Sequence, residues 1–115
     1  WSGTQIEIWL DGDEPDLGAC AATAEAMLGN AGVWQAEMTA RAYAKMYANW
    51  DAVWRENDPA LTEAEWKSRL TIKTLSVTAG GQFTATFADG DLFWGHAIAV
   101  SGALAEGATD ALMVG

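Results

Sequence analysis

Phe87-Ala-Asp-Gly-Asp-Leu-Phe-Trp-Gly-His-Ala-Ile-Ala-Val100 is the stretch that decides the fold of this 115-residue chain. It opens with Asp89-Gly90, and an Asp-Gly pair between apolar segments is typical of a hairpin turn. The turn leads into an apolar run from Phe93 to Val100, which we predict to be a strand. Because both faces of this strand are apolar, we expect it to be central to a sheet or covered on both sides.

Alternation of apolar and polar residues continues on both sides of this stretch and predicts a four-stranded antiparallel meander from Thr71 to the end of the chain. Leu75 and Val77 alternate with serine and threonine, and Phe83 and Phe87 alternate with threonine. The predicted strands are a segment from Thr71 that ends at Ala79-Gly80-Gly81, then Phe83 to Phe87, Phe93 to Val100 and Thr109 to Val114.

The residues before Thr71 predict one strand and three helices. Thr4 to Leu10 alternates with the period of a strand. A first helix is expected from Pro15 to Leu28, with Gly29-Asn30 as its left-handed stop. We expect its buried stripe to consist of Leu17, Ala21, Ala24 and Leu28.

A longer second helix is predicted from Val33 to Glu56. Tyr47, Trp50 and Trp54 share one face of it, and we interpret this aromatic stripe mainly as core. The third helix opens with a capping box between Thr62 and Glu65 and extends to about Leu70. The whole chain, 1–115, is thus predicted to be a single α+β domain. Its N-terminal strand and three helices precede the meander, and the helices pack on one face of the sheet.

The charges are unevenly distributed, with a formal net charge of −10. All six basic residues lie between residues 41 and 73, whereas residues 1–36 and 74–115 carry only acidic side chains. We expect both ends to form an uncompensated negative exterior, which repels nucleic acid and anionic membranes and attracts a basic protein. No apolar run reaches the ~18 residues of a membrane span.

A cluster of carboxylates follows the first predicted strand. A calcium loop is disfavoured because Pro15 occupies the position of the third ligand and the closing glutamate is absent. We expect instead that Pro15 begins the first helix and that the carboxylates face its positive end. The cluster consists of Asp11, Asp13, Glu14 and Asp16.

A single cysteine and a single histidine limit the chemistry that the chain can perform. Cys20 lies among alanines and is interpreted as a buried helix residue, which fits a cytoplasmic protein. On the predicted strand, His96 shares a face with Trp94, and no catalytic partner follows from the spacing. We therefore interpret Phe93, Trp94, Gly95 and His96 as a structural motif, and we expect no catalytic set, cofactor or metal.

The run from Asp89 to Gly102 resembles the hallmark of a bacterial domain-of-unknown-function family numbered twenty-two sixty-two. Its specific part is Phe93-Trp-Gly-His96, and the helix around Tyr43 to Trp50 is similar to the general layout of the family. The resemblance covers most of the chain. It implies a cytoplasmic bacterial protein without known activity and another strand before Trp1. By analogy of architecture alone, it also implies an immunity-like or toxin-neutralising role.

The leading hypothesis is a non-enzymatic binding module for a basic protein. Charge complementarity would raise the association rate, and exposed tryptophans would supply affinity. One alternative is a small hydrolase or ligand-binding enzyme that uses His96 with Asp89 or Asp91. Another is a structural domain that self-associates through a sheet edge or the Trp-rich helix. The candidate partner-binding residues are Asp11, Asp13, Glu14, Asp16, Asp89, Asp91, Trp50 and Trp54.

Overall fold

Five strands form one sheet in the computed structural model, which describes residue 1, residue 3 and residues 5–114. The order across the sheet follows the chain, and all neighbours are antiparallel except β1, which runs parallel to β2. The strands are β1 (Glu7–Asp11), β2 (Thr71–Thr78), β3 (Gln82–Ala88), β4 (Ala97–Ala103) and β5 (Gly107–Val114). The predicted α+β class and its C-terminal meander are confirmed.

Two predicted strands differ in their bounds. The first was expected from Thr4 to Leu10; Thr4 lies outside the described residues, and β1 ends one residue later than expected, at Asp11. The strand expected from Phe93 to Val100 begins only at Ala97, so the prediction for Phe93 to His96 is wrong. These four residues belong to a loop that Asp89 organises, as described below.

Three α-helices with two irregular turns connect β1 to β2. The predicted first helix is a 3₁₀ turn that contains Pro15, followed by α1. The second helix begins earlier than predicted and changes to a π-helical turn, in which the Arg55 N–H donates to the Trp50 carbonyl at 2.8 Å. The helical elements are the 3₁₀ turn Glu14–Asp16, α1 (Leu17–Leu28), α2 (Ala31–Asn49), the π-helical turn Trp50–Trp54 and α3 (Glu63–Ser68).

The details of α1 correct two expectations. Gly29 is right-handed, with φ of −65°, so it is not a left-handed stop; α2 begins two residues later. The buried face of α1 is formed by Cys20, Thr23, Ala24 and Met27, whereas Leu17 is 37% exposed. Because alanines dominate this helix, its phase is set by the larger side chains that fill the core, Met27 above all.

The core lies between the helices and one face of the sheet. Leu75, Ala85 and Val100 stand in register on β2, β3 and β4 and are fully buried. From the helices, Met38 and Trp66 are fully buried in the same cluster. The next register row, Ser76, Thr84 and Ser101, points to the opposite, partly exposed face, which is the alternation predicted for a half-buried sheet. In the described part of the chain, no helix combines the length and apolarity that crossing a membrane requires.

The capping box of α3 is confirmed. The Thr62 N–H donates to Glu65 Oε1 at 2.9 Å, and the Glu65 N–H donates to Thr62 Oγ1 at 3.2 Å. These two bonds satisfy N–H groups that the first helical turn leaves free. The box thereby fixes the start of the helix that carries the buried Trp66 into the core.

The two edges of the sheet are treated differently. Along β5, helix α2 supplies Glu37, which accepts the Ala108 N–H at 2.9 Å, and Arg41, whose Nε donates to the Ala108 carbonyl at 3.0 Å. One turn further, Lys45 Nζ lies 3.3 Å from Asp110 Oδ1. At the other edge, β1 is bordered by β2 alone among the described residues, and all five of its residues are exposed. Thus α2 covers the β5 edge, whereas in the described part of the chain the β1 edge is open apart from the contact of the Cys20 thiol with the Asp11 carbonyl.

Candidate functional site

Residues 89–96, which we call the Asp89 loop, join β3 to β4 and carry the sequence motif. The buried Asp89 carboxylate, 3% exposed, accepts three backbone N–H groups: Asp91 at 2.9 Å, Phe93 at 2.9 Å and Gly95 at 3.1 Å. A hairpin turn was predicted at Asp89-Gly90: β3 and β4 do pair as an antiparallel hairpin, but the connection between them is this eight-residue loop rather than a tight turn. Because the carboxylate binds alternate amides of the following segment, that segment curls around Asp89 and strand pairing starts only at Ala97.

Four residues of the loop have left-handed backbone conformations. They are Gly90, Asp91, Trp94 and Gly95, with φ of 57°, 65°, 58° and 92°. Gly90 has a second constraint, because a Cβ atom there would lie 2.5 Å from the Arg69 carbonyl oxygen. A positive φ is costly for a bulky residue such as Trp94, and such strain is commonly found at functional positions.

Trp94 is held on the surface in this strained conformation. Its side chain is 60% exposed, its indole N–H donates to the Trp54 carbonyl at 3.3 Å, and the two rings are 4.7 Å apart at 67°. Trp54 is half-buried and also meets the fully buried Phe93 edge-on. The π-helical turn and the Asp89 loop therefore form one aromatic surface.

His96 is half-buried at the end of the loop. Its Nδ1 is 2.5 Å from the Phe93 carbonyl oxygen, which can only accept, so Nδ1 carries the proton and Nε2 is the acceptor of the neutral ring. His96 borders an open cleft of about 470 Å³, together with Lys73 and Asp91. Among the described hydrogen bonds, the partner of His96 is a carbonyl rather than a carboxylate. The expectation that it shares a strand face with Trp94 is wrong, because β4 starts after it.

Two predicted partner-binding residues are buried. Trp50 is 3% exposed and contacts Tyr47 in the core, and Asp89 is 3% exposed with both oxygens used by backbone N–H groups. Neither can contact a partner without rearrangement of the core or the loop. Both are therefore corrected to interior residues, whereas Asp91 is exposed and Trp54 is partly so.

The remaining candidates, Asp11, Asp13, Glu14 and Asp16, are all exposed at the other end of the sheet. Asp11 pairs with Thr78 at one end of β2, whereas Ala88, next to the Asp89 loop, pairs with Thr71 at the other. Because β2 has eight residues, about 25 Å separates the two groups. The structure thus divides the predicted site into two surfaces.

The first surface, which we call the acidic end, consists of Glu7, Asp11, Asp13, Glu14 and Asp16. Asp13 precedes the 3₁₀ turn and Asp16 precedes α1, yet neither side chain caps its helix by a hydrogen bond. Pro15 does lie in the first turn, as predicted. Among the described residues, no group of three or more acidic, histidine or cysteine side chains is arranged to hold a metal ion.

The ion pairs of the described residues do not involve the acidic end. They are Lys45–Asp110, Arg55–Asp51 and Lys67–Glu63. The expectation of uncompensated charge is therefore wrong for Asp110: the Ala111 N–H and the Lys45 ammonium group hold the pKa of its carboxyl below the ordinary value. Five of the six bases are engaged within the fold: three in these pairs, Arg41 at the β5 edge, and Arg69, whose guanidinium donates to the Gly90 carbonyl at 3.2 Å.

Sequence reasoning missed the apolar side chains next to the acidic end. In β1, Trp9 is 60% exposed, and Ile8 and Leu10 are each 38% exposed. The signal was present, because Trp9 occurs in the polar phase of the alternation, between Glu7 and Asp11. A large indole in that phase indicates an exposed apolar contact surface.

Comparisons with known proteins give one result. A family model described as "Uncharacterized protein conserved in bacteria (DUF2262)" matches residues 1–113. Comparison with curated proteins and comparison with solved structures each gave no match.

Proposed function

Because the chain belongs to DUF2262, a bacterial family of uncharacterized conserved proteins, we propose its function from its own surfaces: a non-enzymatic module that binds a basic protein. The acidic end is the proposed binding surface. The observation that carries the proposal is that these five exposed carboxylates take part in none of the ion pairs of the described residues.

Electrostatics favours this class of partner. The acidic end adds to a formal net charge of −10, so its field attracts cations and repels phosphate-rich polymers and anionic lipid surfaces. Nucleic acid and membranes are therefore disfavoured partners. Such a field raises the association rate and selects the sign of the partner's charge, but it supplies little affinity alone.

The affinity is proposed to come from the apolar side chains of β1. Tryptophan is enriched among the residues that dominate binding energy, and Trp9 is exposed between two carboxylates of the acidic end. An apolar centre with a charged rim is the usual arrangement of a protein–protein interface. A toxin-neutralising, immunity-like protein is one form of this function, in which the basic partner is a toxin.

A capture experiment with matched variants tests the proposal. The immobilised protein is incubated with a bacterial lysate at low and high salt, and captured proteins are identified by mass spectrometry. The test variant replaces the five acidic-end carboxylates by their amides. The control variant removes five exposed carboxylates elsewhere, so that both variants change the charge equally; its changes are Glu25→Gln, Glu56→Gln, Asp58→Asn, Asp91→Asn and Glu106→Gln.

We expect the wild type and the control variant to capture the same basic protein, released by salt, and the test variant to lose it. Capture of the same proteins by all three would show that the acidic end is not the binding surface. Failure to recover any basic protein at either salt concentration would count against the function itself.

A second candidate function rests on His96. Its Nδ1 is fixed by the Phe93 carbonyl, which leaves Nε2 available as a base in a cleft that also contains Lys73 and Asp91. The proposal for an enzyme is weaker because Asp89, one of the two carboxylates expected to assist, is occupied by backbone N–H groups, which leaves only Asp91 for that role. Hydrolysis of nitrophenyl ester and phosphate ester substrates that is lost in His96→Gln but kept in the acidic-end variant would favour it.

A further inference from the structure

The open edge of β1 is the strongest unexplained feature of the fold. A strand edge carries unpaired N–H and C=O groups, and proteins usually cover such edges because they pair with other chains. Here α2 covers the β5 edge through Glu37 and Arg41, whose side chains bind both backbone groups of Ala108. Outside its pairing with β2, the one described hydrogen bond to the backbone of β1 is that of the Cys20 thiol with the Asp11 carbonyl, at 3.7 Å.

We propose that the open edge of β1 binds an extended, basic segment of the partner protein as a sixth strand of the sheet. This inference rests on the proposed function and specifies how the partner is held. Main-chain hydrogen bonds to β1 would fix the segment, and side chains at alternate positions would supply specificity. With five residues, β1 offers about 17 Å of strand.

Apolar contacts are available on both faces of the proposed sixth strand. Ile8 and Leu10 are in register with the core residues Leu75 and Val77, so they lie on the helix side of the sheet. Trp9 is in register with Ser76 and lies on the opposite side. An incoming strand with alternating side chains would therefore meet aliphatic groups on one face and an indole on the other.

Charge selects the occupant. Glu7 and Asp11 flank the three apolar residues of β1, so lysine or arginine in the incoming strand would face carboxylates. A second copy of this chain fits poorly. Antiparallel pairing centred on Trp9 would place Glu7 opposite Asp11, parallel pairing would place each residue beside itself, and like charges directly opposite destabilise a strand pair.

The test uses a capped peptide of alternating lysine and valine, Lys-Val-Lys-Val-Lys-Val-Lys, as the probe. A second peptide of identical sequence carries N-methyl groups on alternate amides, which removes hydrogen-bond donors without changing the charge. Binding is measured by calorimetry at low salt, and backbone hydrogen exchange is followed in Glu7–Asp11. The protein variants are Trp9→Ala and, as a control of equal exposure at the other end of the molecule, Trp94→Ala.

We expect slower exchange in β1 with the unmodified peptide and at least roughly tenfold weaker binding of the methylated one, since several edge hydrogen bonds are lost together. Trp9→Ala should weaken binding and Trp94→Ala should not. Equal binding of both peptides, or no binding of either, would overturn strand addition. The outcome of this peptide experiment does not decide the proposed function, because the lysate capture with the acidic-end variant tests that function on its own. A dimer in sedimentation experiments without peptide, with β1 protected, would also overturn the inference in favour of a second copy. Protection of β1 in the monomer without peptide would overturn it in favour of a segment of the same chain, such as the strand that the family resemblance implies before Trp1.

Discussion

Asp89 is a buried carboxylate whose three described partners are backbone N–H groups rather than a cation. Its two oxygens can accept all three bonds, and hydrogen bonds to a charged acceptor are stronger than those between neutral groups. By binding Asp91, Phe93 and Gly95, it holds alternate residues of the loop. The position of Trp94 and His96 therefore depends on a side chain that itself does not reach the surface.

Asp89→Asn should destabilise the protein by about 1–3 kcal/mol, because the amide replaces one accepting oxygen with a donor and leaves at least one of the three loop N–H groups without its acceptor. Urea unfolding followed by circular dichroism measures the change. The neighbouring exposed Asp91→Asn serves as the control and should stay within about 0.5 kcal/mol of wild type. Similar stability of the two variants would show that Asp89 does not organise the loop.

Glu65 should make stability depend on pH in the acid range. Hydrogen bonds with the Thr62 N–H and hydroxyl hold the pKa of its carboxyl below the ordinary value of 4.5. A carboxyl whose pKa is lowered on folding contributes its full stability above the unfolded value and loses it as the pH falls through the folded value.

Between about pH 6 and about pH 3, wild type should therefore lose more stability than Glu65→Gln, which keeps the capping geometry without the charge. Thermal unfolding at several pH values measures the difference. Parallel pH profiles for the two proteins would contradict this role of Glu65.

Single residues were predictable where their partners are close in sequence. The box between Thr62 and Glu65 follows from spacing alone and is confirmed. Asp89 was interpreted as a turn residue, a candidate partner-binding residue or a helper of His96. Its three hydrogen bonds were not predicted, because they form in a loop conformation that no local sequence pattern indicates. Trp50 was placed in a stripe interpreted mainly as core and was also named as a candidate partner-binding residue; the structure supports the first interpretation. Trp9 received no role, although its place in the polar phase of the alternation indicates exposure.

Among the secondary-structure elements, α2 connects the core to the edge of the sheet. Glu37, Arg41 and Lys45 follow one another at intervals of four residues and all bind β5. One face of a single helix therefore protects the edge strand β5, and its Lys45 forms an ion pair with Asp110.

Glu37→Ala should open this edge. Loss of the bond to the Ala108 N–H is expected to cost about 1 kcal/mol and to accelerate hydrogen exchange at Ala108. Glu25→Ala on the exposed face of α1 is the matched control. Unchanged exchange at Ala108 would mean that the β5 edge is protected by some other contact.

Elements with a clear hydrophobic period were predicted well, and their ends less well. β3, and β2 after its register shift between Ile72 and Thr74, follow the expected alternation because one face of the sheet is buried. β5 does not alternate, since its buried residues are Ala108 and Ala111. The end of α2 was not predictable, since the π-helical turn from Trp50 arises from packing: it adds one residue to the turn and brings Trp54 to Trp94. β1 and β2 are parallel because α1 and α2 lead the chain back to the end of the sheet at which β1 begins. No local sequence pattern predicts that path.

For the whole molecule, the balance of charge should make stability depend on ionic strength. The described ion pairs are partly exposed and each contributes little, whereas a net charge of −10 opposes the compact state. We therefore expect the urea midpoint at neutral pH to rise with sodium chloride. The acidic-end variant should be less sensitive to salt than wild type. A midpoint that falls with salt would indicate that the ion pairs outweigh the repulsion.

The contact between Trp54 and Trp94 has a spectroscopic consequence. Two indole chromophores whose centroids are 4.7 Å apart and whose planes meet at 67° have coupled electronic transitions of fixed handedness. The protein should therefore show an exciton couplet in its circular dichroism that either Trp54→Phe or Trp94→Phe removes. Since the Asp89 loop holds one of the two rings, this optical signal reports the state of the loop without any added label.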